Sequence, residues 1–313
     1  MNKQKLKVLI PVDGSDQAHH AVNYAARVFP PDRTRMVLFH VDAQNQDLGK
    51  SLSGNPMYHN QMKNIDKWMA ANHNTMNRFM EKAVACLMDQ AFPRSAIEVK
   101  IKNKNVRVTD EIINEARDEY AAVVVGKTGT SRLKDRFIGS LAMKLAGKLN
   151  YIPLIIVAGD PLPYKILLSV DRHEEAFRSI NCIAALLDIQ KFNIAISHIA
   201  RCELTQKGFH RKSTSDGEKY MCPLRDVECI CPSIDSMKKC LVEEGILSDH
   251  LTDMVVEDKN AVAATLALIR SKKFGSIVVG RRTIVPFVEE LVSGRYSQKI
   301  LKKMEDMALW VVN

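Results

Sequence analysis

An internal repeat constrains this chain more than any other feature of its sequence. Asp13 ends an apolar run, and Asp171 ends a similar run 158 positions later. Five pieces recur in the same order in the two halves: residues 8–13 and 166–171, 14–18 and 172–176, 37–41 and 195–199, 123–126 and 277–280, and 154–157 and 309–312. The sequence therefore predicts two homologous units, 1–160 and 161–313, joined at a Pro/Gly-containing linker near residues 159–163.

Each unit alternates short apolar runs with helical periodicity, which is typical of an α/β fold. In the first unit we expect strands at about 36–41, 96–102, 121–126 and 153–158 after the one ending at Asp13, and helices near 62–90, 107–118 and 139–149. Strands as apolar as residues 122–125 are usually buried on both faces, as in a parallel sheet covered by helices. We therefore predict two tandem, doubly wound units, each with a five-stranded parallel sheet. Ligands of such sheets bind beyond the carboxyl ends of the strands.

The last strand of each unit would be an exposed apolar edge if the unit stood alone, and such edges invite pairing. We expect residues 153–158 and 308–312 to pair side by side and antiparallel, with Ile155 and Trp310 buried between the units. The chain would then be an internal pseudo-twofold dimer, and a homodimer of whole chains stays open.

Composition narrows the location and the partners. Among its 313 residues, 46% are hydrophobic, yet the sequence contains no apolar run of membrane-spanning length and no signal-peptide pattern at Met1. We therefore expect a cytoplasmic protein without a membrane partner. The formal charge of +9 favours anionic partners. Because Lys and Arg are spread along the chain, we favour a solvated basic surface over a nucleic-acid-binding face.

A glycine pattern follows the fourth strand of the first unit. Gly126 and Gly129 are followed after nine residues by Gly139 and Ser140, where a helix begins. Glycines let a ligand approach the backbone, and the first N–H groups of a helix attract phosphate. Turn formation alone would also explain each single glycine, but the full spacing, together with Asp13 after the first strand, favours nucleotide binding. It is not a Walker P-loop, because position 121 is Ala.

These residues resemble the universal stress protein family, in its ATP-binding branch, and the resemblance extends over both units apart from an insert in the second. It implies the adenine nucleotide alpha hydrolase-like fold, with ATP as ligand and Mg²⁺ accompanying the triphosphate. It also implies the residues that line the site. On the nucleoside side these are Pro11, Val12, Asp13 and Val41. On the phosphate side they are Val125, Gly126, Gly129, Gly139, Ser140 and Leu141. Asp13 could equally be a helix cap, and we expect His40 to pack or hydrogen-bond near its strand end rather than to act in catalysis.

The second unit departs from the glycine pattern. Thr283 replaces the second glycine, and Arg295 stands where the first unit has Ser140. A Cβ at position 283 hinders backbone approach, and an arginine side chain would fill the phosphate space. We therefore expect weak or absent ATP binding there. The arginines at 281, 282 and 295 could hold another anion, but we favour exposed, solvated side chains.

The second unit also carries an insert at about residues 200–235 that is rich in cysteine. Cys222, Cys229 and Cys231 are close together in it, which is not a standard zinc spacing. Thiolates could bind Zn²⁺ or an iron–sulfur cluster, and a lobe of unpaired thiols is the alternative. Cys86 and Cys182 fall on helical apolar stripes and are expected in the core.

The leading functional hypothesis is an ATP-binding stress-response regulator with an unknown protein partner and, at most, slow ATP hydrolysis. An ATP-using transferase or ligase is an alternative, although residues 12–16 do not match the pyrophosphate loop of such enzymes. A redox or metal sensor acting through the cysteine-rich insert is a third possibility. Catalytic residues are not identifiable from the sequence.

Overall fold

A computed structural model describes residues 6–42, 59–128, 140–170, 173–200, 209–213, 219–223, 231–258, 260–281 and 296–313. Its strands are β1 Leu6–Pro11, β2 Thr34–Asp42, β3 Ile97–Asn103, β4 Ala122–Gly126, β5 Leu154–Ala158, β6 Lys165–Ser169, β7 Asn193–Ala200, β8 Phe209–Ser213, β9 Lys219–Pro223, β10 Leu251–Glu257, β11 Ser276–Gly280 and β12 Met307–Val312. Its α-helices are α1 Asp16–Val28, α2 His59–Asp89, α3 Val108–Ala116, α4 Ser140–Lys148, α5 His173–Leu186, α6 Cys231–Glu243, α7 Ala261–Lys272 and α8 Tyr296–Lys303.

Within these ranges, ten strands form one continuous sheet in the order β10-β7-β6-β11-β12-β5-β4-β1-β2-β3. The two halves of this order are equivalent. β1 lies between β2 and β4, and β6 lies between β7 and β11, which is the fourth of the five strands that the second half contributes to this sheet. Pairing inside each half is parallel. The predicted fold class is thereby confirmed. The boundaries 1–160 and 161–313 remain our proposal for the two units.

The halves join as the sequence predicted. Strands β5 and β12 pair antiparallel, with Ile155 opposite Trp310, and both side chains are fully buried. Because this central pair is antiparallel, the carboxyl ends of the strands in the two halves lie at opposite edges of the sheet.

Two apolar layers cover the sheet, one on each face. One cluster contains residues of α1, α2, α5 and α6, and the other contains residues of α3, α4, α7 and α8. Successive strand residues alternate between them, as Val8 and Leu9 show. Each cluster includes residues of both halves, so the core continues across the junction. No helix among the described residues is long and apolar enough to cross a membrane.

Candidate functional site

The topology of the first half creates a crevice beside the end of β1. After β1 the chain crosses to β2 on one side, whereas β4 lies on the other side. The order of strands therefore reverses between β1 and β4, and ligands of open α/β sheets bind outside such a point. The structure brings Pro11, Val41 and Gly126 to the carboxyl ends of these neighbouring strands.

Three of the sequence-predicted lining residues are core residues. Val12, Val41 and Val125 are at most 7% exposed, and their side chains belong to the two apolar clusters. Any ligand beyond the strand ends would therefore approach mainly their backbone. Leu141, near the start of α4, is partly exposed and packs against the same core.

Asp13 begins the loop that connects β1 with α1. Its Oδ1 accepts hydrogen bonds from the backbone N–H of Ser15 at 3.1 Å and from the Ser15 hydroxyl at 2.6 Å. Ser15 itself caps α1, because its Oγ accepts the N–H of Ala18. Asp13 is thus not the helix cap, and its exposed carboxylate is held at the rim of the crevice.

His40 fixes the end of β1 to β2. Its Nδ1 lies 2.9 Å from the carbonyl oxygen of Val12. Because a carbonyl can only accept, Nδ1 carries the proton in this bond. His198 makes the equivalent contact with Val170 O at 3.0 Å in the second half. This histidine–carbonyl contact is present in the second half, which lacks the glycine pattern. That supports the expected structural role of His40.

Gly126 is required by packing, whatever binds outside it. A Cβ on Gly126 would lie 2.7 Å from the carbonyl oxygen of Gln17 on α1. Gly280 meets Glu175 of α5 at 2.6 Å in the same way. The sequence interpretation, which explained Gly126 by ligand approach, missed this contact with the neighbouring helix.

Lys127, next to Gly126, is buried against the second half of the chain. It is 5% exposed, and its Nζ donates to the carbonyl oxygen of Met304, at the end of α8 in the other half. Its backbone N–H donates to Val157. The beginning of the glycine loop is therefore anchored to the second half of the chain.

Helix α4 is the remaining described part of the proposed phosphate site. It begins at Ser140, as the glycine pattern predicted. In any α-helix the N–H groups of the first turn have no carbonyl partner within the helix. Gly129 and Gly139 lie outside the described residues.

In the second half, side chains make their own hydrogen bonds at the end of β6, the strand that corresponds to β1. The hydroxyl of Tyr296, at the start of α8, lies 3.0 Å from Ser169 Oγ at the end of β6 and 2.6 Å from Thr265 Oγ1 on α7. Tyr296 corresponds to Leu141 at the offset of 155 that also relates β5 to β12. Sequence reasoning missed this tyrosine, although its place at a helix start after the altered loop was visible.

Arg281 also differs from expectation. It was predicted to be exposed and solvated, but it is only 9% exposed and donates to backbone carbonyls of the first half. The prediction was wrong because the sequence does not show that α4 ends beside this position. Arg282 and Arg295 lie outside the described residues.

The proposed thiolate site is only partly within the described residues. Cys222 lies on β9 and Cys231 begins α6, whereas Cys229 lies outside. Among the residues that the structure describes, no group of three His, Cys, Asp or Glu side chains could hold a metal ion. Cys86 and Cys182 pack against the core as expected, and burial raises the pKa of Cys182 to about 12.

The fold and the crevice define a doubly wound α/β protein with a candidate ligand site at a topological switch point. Residues 6–157 match the model of the universal stress protein family. The first half of the chain is therefore similar to members of that family. The universal stress protein YxiE of Bacillus subtilis (strain 168) is 24% identical over 155 residues, which are 48% of this chain and 97% of that protein.

Solved structures show the same fold across both halves. A universal stress protein from Archaeoglobus fulgidus DSM 4304 superposes with a TM-score of 0.62 at 15% identity, covering 99% of this chain and 97% of that one. A candidate universal stress protein from Pseudomonas aeruginosa UCBPP-PA14 gives a TM-score of 0.56 at 10% identity, covering 98% and 92%. At these identities the likeness concerns the fold alone.

Proposed function

We propose that the first half of the chain binds ATP at the carboxyl ends of β1, β2 and β4, and that the protein is an ATP-binding stress-response regulator. The carrying observation is the switch point between β1 and β4, where the exposed Asp13 and the start of α4 belong to the same unit. The family match of residues 6–157 supports the stress-related role. A cytoplasmic location and an unknown protein partner are part of this proposal.

The adenosine side would be held near β1 and β2. Pro11, Val12 and Val41 would offer mainly backbone at the strand ends, because the valine side chains are buried. Asp13 would offer a carboxylate to the ribose. Ser15 restrains that carboxylate, so less side-chain entropy is lost when a ribose binds. This arrangement uses shape and backbone more than charge.

The phosphates would lie against the glycine loop and the first turn of α4. Free N–H groups and the helix dipole both favour anions at that position. The described residues form no metal site of their own. Mg²⁺ that accompanies the triphosphate commonly binds through phosphate oxygens and retained water molecules. Slow ATP hydrolysis stays within the proposal, and steady-state turnover would measure it.

The second half is proposed not to bind ATP comparably. Tyr296 bridges β6 and α7 through its hydroxyl, at the end of the strand that corresponds to β1. Entry of a nucleoside there would break these hydrogen bonds and displace an aromatic ring from the core edge. We therefore expect about one nucleotide per chain.

Calorimetric titration with Mg-ATP tests the proposal. The wild-type protein should bind about one ATP, and Gly129→Val should abolish binding because a branched side chain would occupy the phosphate path. Thr283→Val, at the equivalent position of the second half, is the matched control and should bind as the wild type does. Unchanged affinity in Gly129→Val, or two equal sites per chain, would refute the assignment.

A further inference from the structure

We infer that Arg281, a residue of the second half, positions helix α4 and thereby the phosphate subsite of the first half. The inference rests on the ATP site proposed above. Arg281 would not touch the nucleotide, so it is a positioning residue. This role lies outside the glycine loop. It means that a residue of the second unit contributes to the affinity of the first unit for ATP.

The contacts of Arg281 converge on the end of α4. Its Nη1 donates to Leu149 O at 3.0 Å, and its Nη2 donates to Ala146 O at 2.8 Å. The same Nη1 lies 3.0 Å from Asn313 Oδ1, and Asn313 Nδ2 donates to Ile152 O at 2.7 Å. The guanidinium is thus fixed between the end of α4 and the segment that leads into β5.

These carbonyls need such a partner. The last four carbonyls of a helix have no intrahelical donor, and a buried carbonyl without a donor costs free energy. A cation at a helix C-terminus also interacts favourably with the helix dipole. Arg281 supplies both the hydrogen-bond donors and the positive charge. Its planar guanidinium group fixes the direction as well as the length of these hydrogen bonds.

Hydrogen bonds at this end determine the position of the other end. Helix α4 has nine residues, so Ala146 lies only about 9 Å along the axis from Ser140. Its apolar face, with Ala142 and Leu145 buried, holds it against the sheet, but apolar packing is non-directional and permits sliding. The directional bonds from Arg281 therefore set how far the first turn of α4 reaches towards the phosphates.

A reciprocal contact connects the other side of the loop. Lys127 of the first half donates to Met304 O at the end of α8, and Met304 corresponds to Leu149 at the offset of 155. The same junction thus anchors both ends of the proposed phosphate loop. The guanidinium group of Arg281 binds the end of α4, the helix that follows the intact loop. The ammonium group of Lys127 binds the end of α8, the helix that follows the altered loop.

The chain offers a matched control for Arg281. Arg33 of the first half donates to Ala185 O at 2.8 Å and to Leu187 O at 2.6 Å, at the end of α5 in the second half. It is also an arginine that binds helix-terminal carbonyls across the junction. It does not contact α4 through these bonds, so its loss should affect stability without moving the phosphate subsite.

Titrations of full-length Arg281→Met, Arg281→Lys and Arg33→Met with ATP and with adenosine test the inference. Arg281→Met should weaken ATP binding about five-fold or more, the lower range of typical couplings between sites, and leave adenosine binding unchanged. The ATP affinity of Arg281→Lys should lie between those of Arg281→Met and the wild type, because one ammonium group can replace only some of the hydrogen bonds of the guanidinium group. Arg33→Met should bind both ligands as the wild type does, whatever its melting temperature.

The outcomes separate this inference from the proposed function. A wild-type protein that binds neither ligand would refute the ATP site itself. A wild type that binds ATP, with Arg281→Met equally tight, or with ATP and adenosine weakened alike, would overturn the positioning role alone. An equal loss of ATP affinity in Arg33→Met would show that general stability is responsible. If Arg281→Met does not fold, wild-type ATP affinity in Arg281→Lys overturns the inference.

Discussion

At the scale of single residues, Gly126 and Gly280 show that a glycine in a binding motif can be required by packing as well as by the ligand. Each ends a strand of the main sheet, β4 or β11, and a Cβ on either would meet the first turn of the first helix of its unit, at Gln17 of α1 or Glu175 of α5. Only Gly126 precedes an intact glycine loop. The close contact with a helix is therefore independent of the ligand.

We expect Gly126→Ala and Gly280→Ala to destabilise the protein by a similar amount, about 1–3 kcal/mol each, because the added methyl group forces a backbone shift. Chemical denaturation of the two variants measures this. Their ATP affinities should differ, since only position 126 belongs to the proposed site. A fully stable Gly280→Ala protein would show that the backbone can yield at this contact.

The sequence allowed a loop to be predicted from the spacing of these glycines, but it did not reveal which residues pack against them in space. The sequence places Gly126, Gly129, Gly139 and Ser140 in one loop, and it does not show which atoms face each glycine. Arg281 was misassigned for the same reason. Its burial depends on Leu149, which is 132 positions away and belongs to the other unit.

At the scale of elements, edge strand β3 is fixed to α3 by buried carboxylates. Glu111 is 2% exposed, pairs with Lys102 at 2.8 Å, and accepts the N–H groups of Asn105 and Val106. The hydrogen bond from Lys102, aided by these N–H groups, lowers the pKa of Glu111 below its ordinary value. The contact holds the last strand of the sheet and the turn after it.

A lowered pKa means that the carboxylate stabilises the fold above the unfolded-state pKa, near 4.3, and that this contribution is lost as pH falls through the lower folded-state pKa. Glu111→Gln should therefore cost about 1–3 kcal/mol at pH 7, and the difference from wild type should narrow below about pH 4. Denaturant titrations across pH measure this. Asp118→Asn is the control, because its pair with Lys7 is exposed and should matter little. A Glu111→Gln deficit that is independent of pH would contradict the ionic explanation.

Element positions could be predicted well where periodicity is strong. The helices expected near 62–90, 107–118 and 139–149 are observed at His59–Asp89, Val108–Ala116 and Ser140–Lys148. The insert was harder, because a short hairpin leaves little pattern. It contains the antiparallel pair β8 and β9, and Cys231, which the sequence analysis placed in the insert, begins α6.

At the scale of the whole molecule, the two units share one sheet and a buried polar contact. Trp310 Nε1 donates to Tyr24 OH at 2.8 Å, and that hydroxyl lies 2.7 Å from Ser276 Oγ. Burial raises the pKa of Tyr24 to about 12. These groups come from α1 in the first half and from β11 and β12 in the second. Satisfying each buried donor requires both halves to be docked in one register.

The junction strand gives the last prediction. Strand β12 pairs with β5 along Met307–Val311 and fills the core beside it with Trp310. Removing residues 308–313 would leave the backbone of β5 without its antiparallel partner and expose apolar side chains such as Ile155 and Val157. An unpaired apolar edge pairs with other chains. We therefore expect the truncated protein to dimerise through this edge or to aggregate, as measured by size-exclusion chromatography with light scattering. Deleting Asn313 alone, which lies after β12, should keep the oligomeric state of the full chain. A soluble, folded truncation with an unchanged oligomeric state would show that β5 does not need β12 as its partner.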